Sequence, residues 1–104
     1  MDFYIEDGVH RAVALRENGI QTAVPAILFQ LGQPPCRIYV KLGELYSPKA
    51  TISRIPDQRH NFPMMQAWLA TPQGRAQMPP IHVQPLGDPG QTASVPLAMV
   101  QIVN

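Results

Sequence analysis

The chain has 104 residues, 45% of them apolar and 14% charged, with 12 prolines and a net charge of +1. That length supports one domain with a modest core, and so low a charge on so apolar a chain excludes intrinsic disorder. The prolines exclude a helical bundle, because each interior proline removes a donor and clashes with the preceding turn.

The N-terminal stretch MDFYIEDGVHR has no basic start and no long apolar run, so it is not a secretory signal. The expectation is a soluble chain without an export address. The first 24 residues read as a strand meander. Both EDGV (Glu6–Val9) and ENGI (Glu17–Ile20) place an acidic or amide residue before glycine, which tolerates the positive φ angles of a two-residue hairpin. With Asn18-Gly19 as the loop, Val13, Leu15, Ile20, Thr22 and Val24 share one face, as period-2 alternation requires.

AILFQL (Ala26–Leu31) and RIYVKL (Arg37–Leu42) come next as strands, with GQPPC keeping the connection extended. In the second, Ile38, Val40 and Leu42 alternate with Arg37, Tyr39 and Lys41, the pattern of a strand with one wet face. TISRI (Thr51–Ile55) is a further short strand, closed by Pro56. The bases Arg37, Lys41, Lys49, Arg54 and Arg59 are too sparse for a nucleic-acid face, and the longest apolar stretch, AVPAILFQL, is too short to span a bilayer, so neither nucleic acid nor a membrane is an expected partner.

Helical spacing occurs in NFPMMQAWLATPQG, where Asn61 caps, Pro63 suits the first turn, and Met64 or Met65 recurs with Trp68 and Leu69. One short helix over about residues 63–70 is assigned, ended by Pro72 and Gly74. Met64, Met65 and Trp68 are read as the side of that helix packed on a sheet.

The final stretch from Gln77 to Asn104 holds five prolines and a single charged residue, Asp88. Residues 1–75 are therefore read as a β-rich core, and 76–104 as an extended apolar arm or closing strands of the same single domain. Left in water, such an edge is an aggregation hazard. Ile81, Val83, Leu86, Val95, Leu97, Met99, Val100, Ile102 and Val103 are accordingly expected to make protein–protein contacts, and both chain ends to be held in place.

Candidate chemistry is thin. His10, His60 and His82 have no close companion of ligating type, and metal sites need convergent ligands. Asp57 and His60 form the best acid–base pair, though polar residues also collect before a helix for turn and capping reasons. Cys36 is the single cysteine, so no intrachain disulfide forms. No catalytic residue, metal or cofactor is assigned.

The sequence thus points to a mainly β fold, a small sandwich or partly open barrel, with one short helix and an extended C-terminal arm. Its expected function is non-enzymatic: a repeated subunit of a larger complex, in concrete form a virus or phage particle component such as a capsid decoration, neck or tail protein. Partners would be copies of itself and other assembly subunits. The alternative is a small binding module with an apolar groove for a lipid or peptide.

Overall fold

The computed structural model describes residues 1–53 and 62–103. Its elements, in chain order, are β1 (Phe3–Asp7), α1 (Val9–Glu17), β2 (Val24–Leu28), β3 (Cys36–Val40), β4 (Leu45–Ser47), β5 (Thr51–Ser53), α2 (Phe62–Leu69), α3 (Pro72–Gln77), β6 (Ile81–Pro85), β7 (Val95–Pro96) and β8 (Gln101–Val103). Short 3-10 turns cover Leu42–Glu44 and Leu97–Met99. The fold is α/β: a mixed six-stranded sheet in the order β3-β2-β6-β1-β4-β7, and a two-stranded parallel sheet of β5 and β8.

The mainly β expectation is corrected in two places. The first is the N-terminal meander, which is interrupted by a helix. Residues Val9–Glu17 form α1, with Ala12, Val13, Ala14 and Leu15 all buried in succession. A strand with one wet face cannot bury four neighbours in a row, because alternate side chains leave on opposite sides. The Asn-Gly pair does not turn a hairpin; it ends this helix. Gly19, at φ +71°, lets its N–H reach the Arg16 carbonyl at 2.9 Å while the Ile20 N–H reaches the Leu15 carbonyl at 3.1 Å. Those two bonds are the Schellman closure of a helix C-terminus. At the other end Gly8, at φ +109°, allows the sharp passage from β1 into α1.

The second is the C-terminal stretch, which of the arm or closing strands expected there forms closing strands. Its first segment is β6, seated between β1 and β2: it runs antiparallel to β1 (Tyr4 opposite Gln84, Ile5 opposite Val83) and parallel to β2 (Ala26 beside Ile81, Leu28 beside Val83). Farther on, β7 pairs antiparallel with β4, and β8 pairs with β5. The stretch stays extended and buries its apolar residues against its own chain. The short helix expected over 63–70 is α2, at Phe62–Leu69, but it is accompanied by α1 and α3.

Alternation sets the two faces of the large sheet. Phe3, Ile5, Val24, Ala26, Val40, Leu45, Ile81 and Val83 point into one core with Ala12, Val13, Leu15, Phe62 and Leu69 from the helices. The opposite face receives no helix among the described residues; it carries Glu6, Pro25, Ile27, His82 and Gln84, is barest at Arg37 and Tyr39, and is covered at Tyr4, which is buried and bonded to Thr92 of the loop after β6.

Candidate interaction surfaces

Three surfaces stand out once the core is accounted for. The first is the outward side of α2. This helix has no charged residue, yet Met64 is 71% and Trp68 41% exposed, one turn apart. Phe62 and Leu69 fix the helix by their buried side chains, and the Asn18 amide donates to the Gln66 carbonyl at 2.9 Å. Its position is further set by α3, where Thr71 Oγ1 donates to the Trp68 carbonyl at 2.7 Å and accepts from the Gly74 N–H at 3.0 Å.

The second surface is a cleft of about 530 Å³ lined by Phe29, Leu31, Gln30, Gln33, Gln84 and Asp88. It lies beyond the C-terminal ends of β2 and β6, the parallel neighbours at the middle of the sheet. Phe29 N–H donates to the Val83 carbonyl at 2.9 Å. In a parallel ladder the next donor would be residue 85, which is a proline, so the two strands part there. The chain leaves β2 toward β3 and leaves β6 toward β7, in opposite directions along the sheet. Such switch points are where open α/β sheets form crevices. One wall is stiffened by Gln91, whose side-chain amide donates to the Pro85 carbonyl at 2.6 Å and to Gln84 Oε1 at 3.3 Å. Gln84 also hydrogen-bonds Glu6.

The third surface is the outer edge of β3, where Arg37 and Tyr39 are exposed on the bare face.

No protein-family model matches this chain, and no curated protein or solved structure matches it either. The functional reading therefore rests on the geometry of these surfaces.

The nine residues expected to make protein–protein contacts divide by position. Ile81, Val83, Leu97 and Val100 are buried in the chain's own core. Leu86, Val95 and Ile102 are half-buried, the last two packed on that core. Met99 and Val103 are the exposed members of the nine. Asp57 and His60 lie outside the described residues. Among the described residues no three His, Cys, Asp or Glu side chains converge as metal ligands would, and no helix is long and apolar enough to cross a membrane. His10 sits on α1, not on a strand, with Nε2 at 3.3 Å from the Ser53 carbonyl oxygen. His82 faces the bare side of the sheet, its ring 5.2 Å from that of Phe29. Cys36 is exposed and unbonded to another cysteine.

The bare sheet face and the cleft escaped sequence reasoning. A signal for the cleft existed: Pro85 in β6 marks where a parallel ladder must stop, but it becomes legible only once β6 is known to lie beside β2.

Proposed function

We propose that this chain is a non-enzymatic subunit of a larger assembly, built from copies of itself and other subunits. In its concrete form it is a component of a virus or phage particle, such as a capsid decoration, neck or tail protein. The observation that supports assembly is the uncharged α2, which presents Trp68 and Met64 to solvent beside a well-filled core. Large apolar side chains clustered on an exposed helix mark interaction sites. Tryptophan is among the residues that most often anchor interfaces, because it covers much area with few rotatable bonds.

Light scattering coupled to size-exclusion chromatography tests the reading. The 11.5 kDa chain is expected to elute as an oligomer. Trp68→Lys, with an unchanged far-UV spectrum, is expected to shift it toward smaller species. A monomer at every concentration, with no partner co-purifying from its native source, would overturn the proposal. Mass spectrometry of purified particles from that source tests the particle assignment separately.

The cleft favours a second reading, a small binding module. Its three glutamine side chains and Asp88 supply donors and acceptors of the kind an extended peptide main chain needs, while Phe29 and Leu31 supply apolar contact. That lining fits a peptide better than a lipid. Native mass spectrometry of the purified protein distinguishes the two: a bound peptide supports the module, an empty oligomer the assembly subunit.

A further inference from the structure

The direction of each backbone group along β3 is set by one hydrogen bond. Phe29 N–H points at β6, so Pro25, Ile27 and Phe29 face β6 with their backbone groups, and Val24, Ala26 and Leu28 face β3. Their partners Val40, Ile38 and Cys36 face back toward β2. The N–H and C=O groups of Arg37 and Tyr39 therefore point outward, along the edge of the sheet.

That edge has sharp ends. Residue 35 is a proline and offers no donor. The Lys41 N–H, which also points outward, is taken by Glu44 Oε1 at 2.8 Å. Between these two stops lie two donors and two acceptors without a strand partner among the described residues, the Arg37 carbonyl taking only a long 3.7 Å bond from the Cys36 thiol. The opposite edge of the same sheet is β7, two residues long and containing Pro96, a form of edge that resists further pairing. β3 has five residues and no proline, and its one charged side chain, Arg37, stands on the bare face and leaves the edge clear.

We infer that β3 joins the β3 of a second copy of this chain, antiparallel about a two-fold axis at Ile38, to make one continuous sheet across two subunits. This inference rests on the homo-oligomer part of the proposed function and adds a second contact to that of α2. In this register Arg37 lies opposite the partner's Tyr39 as a hydrogen-bonded pair, and the same pair recurs across the axis. All four outward donors and acceptors on each strand are then used. The two stops also meet, with Pro35 facing the partner's Lys41, so no donor is stranded. Shifting the axis by one residue, to Arg37, would set Tyr39 against the partner's Pro35 and lose a bond on each side. On the bare face each Arg37 guanidinium falls beside a Tyr39 ring, a favourable cation–π arrangement. On the other face the two half-buried Ile38 side chains meet at the narrow pairing distance.

Tyr39→Pro tests the inference cleanly. Its lost N–H points outward, and proline is tolerated on an edge strand in that orientation. The variant is expected to keep its far-UV spectrum and to run as a smaller species than wild type by light scattering, whereas Ile38→Pro removes an inward bond to β2 and unfolds the edge. A second measurement does not depend on the proline variant folding. In a Cys36→Ser background, Ile38→Cys is expected to form an intersubunit disulfide under glutathione disulfide. Wild type is not, because its two Cys36 residues lie four positions apart along the paired strands, about 14 Å. A wild-type oligomer that survives Tyr39→Pro and gives no Ile38→Cys crosslink overturns the inference and leaves the α2-based assembly reading standing. A wild type that is monomeric throughout overturns both.

Discussion

The Arg16 guanidinium holds the turn just after β7: its Nη1 donates to the Leu97 carbonyl at 2.5 Å and to the Val100 carbonyl at 2.7 Å. Those carbonyls flank the 3-10 turn Leu97–Met99, and the buried Leu97 and Val100 side chains anchor it in the core. A residue of α1 thus fixes a segment 81 positions away in sequence.

Arg16→Ala removes both charged bonds at once: the Val100 carbonyl loses the guanidinium, and the Leu97 carbonyl keeps only the Val100 N–H at 3.1 Å. Hydrogen bonds from a charged donor contribute roughly 1.5–3 kcal/mol in such settings. The variant is expected to lose about 2–3 kcal/mol in urea unfolding with an unchanged m value. Arg16→Lys keeps the charge but shortens the reach and loses the planar fork, so it should recover only part of that. A loss below about 0.5 kcal/mol for Arg16→Ala would show that water replaces the guanidinium without penalty.

Gly19 and Gly74 are constrained for different physical reasons, and alanine separates them. At Gly19 a Cβ would meet nothing within 4 Å, but φ is +71°. The cost of Gly19→Ala is backbone strain alone, about 1–2 kcal/mol. At Gly74 the backbone is ordinary helix, but a Cβ would overlap the Trp68 carbonyl. Gly74→Ala must push α3 away from α2, which costs about 1–3 kcal/mol or more for a rigid neighbour. Gly19→Asn, tolerated in the left-handed region, should be nearly silent, whereas Gly74→Asn should be worse than Gly74→Ala. Thermal unfolding of the four variants checks the pattern.

Tyr4 tethers the loop between β6 and β7. Its hydroxyl pairs with Thr92 Oγ1 at 2.8 Å, and the residue is 7% exposed. Tyr4→Phe is expected to cost about 1 kcal/mol. It should also speed amide exchange across residues 86–94 while leaving β6 unchanged. If β6 exchange accelerates equally, the loop and the strand open as one unit.

β6 has strands on both sides, and Ile81 and Val83 are fully buried. Its amides are expected to exchange at the rate of global unfolding, the slowest in the chain. Val83→Ala should cost about 1–3 kcal/mol, and Leu97→Ala about 2–5 kcal/mol. A fast-exchanging 81–85 segment would contradict the strand order.

Part of this fold was legible in the chain. The alternation in Arg37–Leu42 marks β3 and its wet face, and the Met64–Leu69 spacing marks α2. The character of the last quarter was also legible: extended, apolar and unwilling to stay wet. α1 was not, for a specific reason. Ala12 and Ala14, alternating with Val13 and Leu15, mimic a period of two in size, and Asn18-Gly19 satisfies a hairpin and a helix C-cap equally. Burial of four successive residues of that helix removed the polar stripe that would have exposed its 3.6 period. The position of β6 was hidden because Pro80 and Pro85, on either side of the Ile81–Gln84 alternation, suggest an edge. Pro85 in fact falls at the last rung, and its missing donor is what ends the β2 ladder there. Of the candidate surfaces, Trp68 and Met64 were visible as residues but read as packing; their exposure is a property of how α1 and α3 hold the helix.

The placement of β6 has a consequence for how the protein is made. β1 and β2 do not touch as strands; the gap between them is filled by a strand that emerges from the ribosome long after β2, once α2 and α3 have been made. Nascent chains that have reached α2 carry two incomplete halves of a sheet, β2 with β3 and β1 with β4, each with an unsatisfied flank. Closure is a late, long-range event, so maturation is expected to be slow and post-translational, and exposed flanks in that interval invite rescue by a chaperone or loss to aggregation.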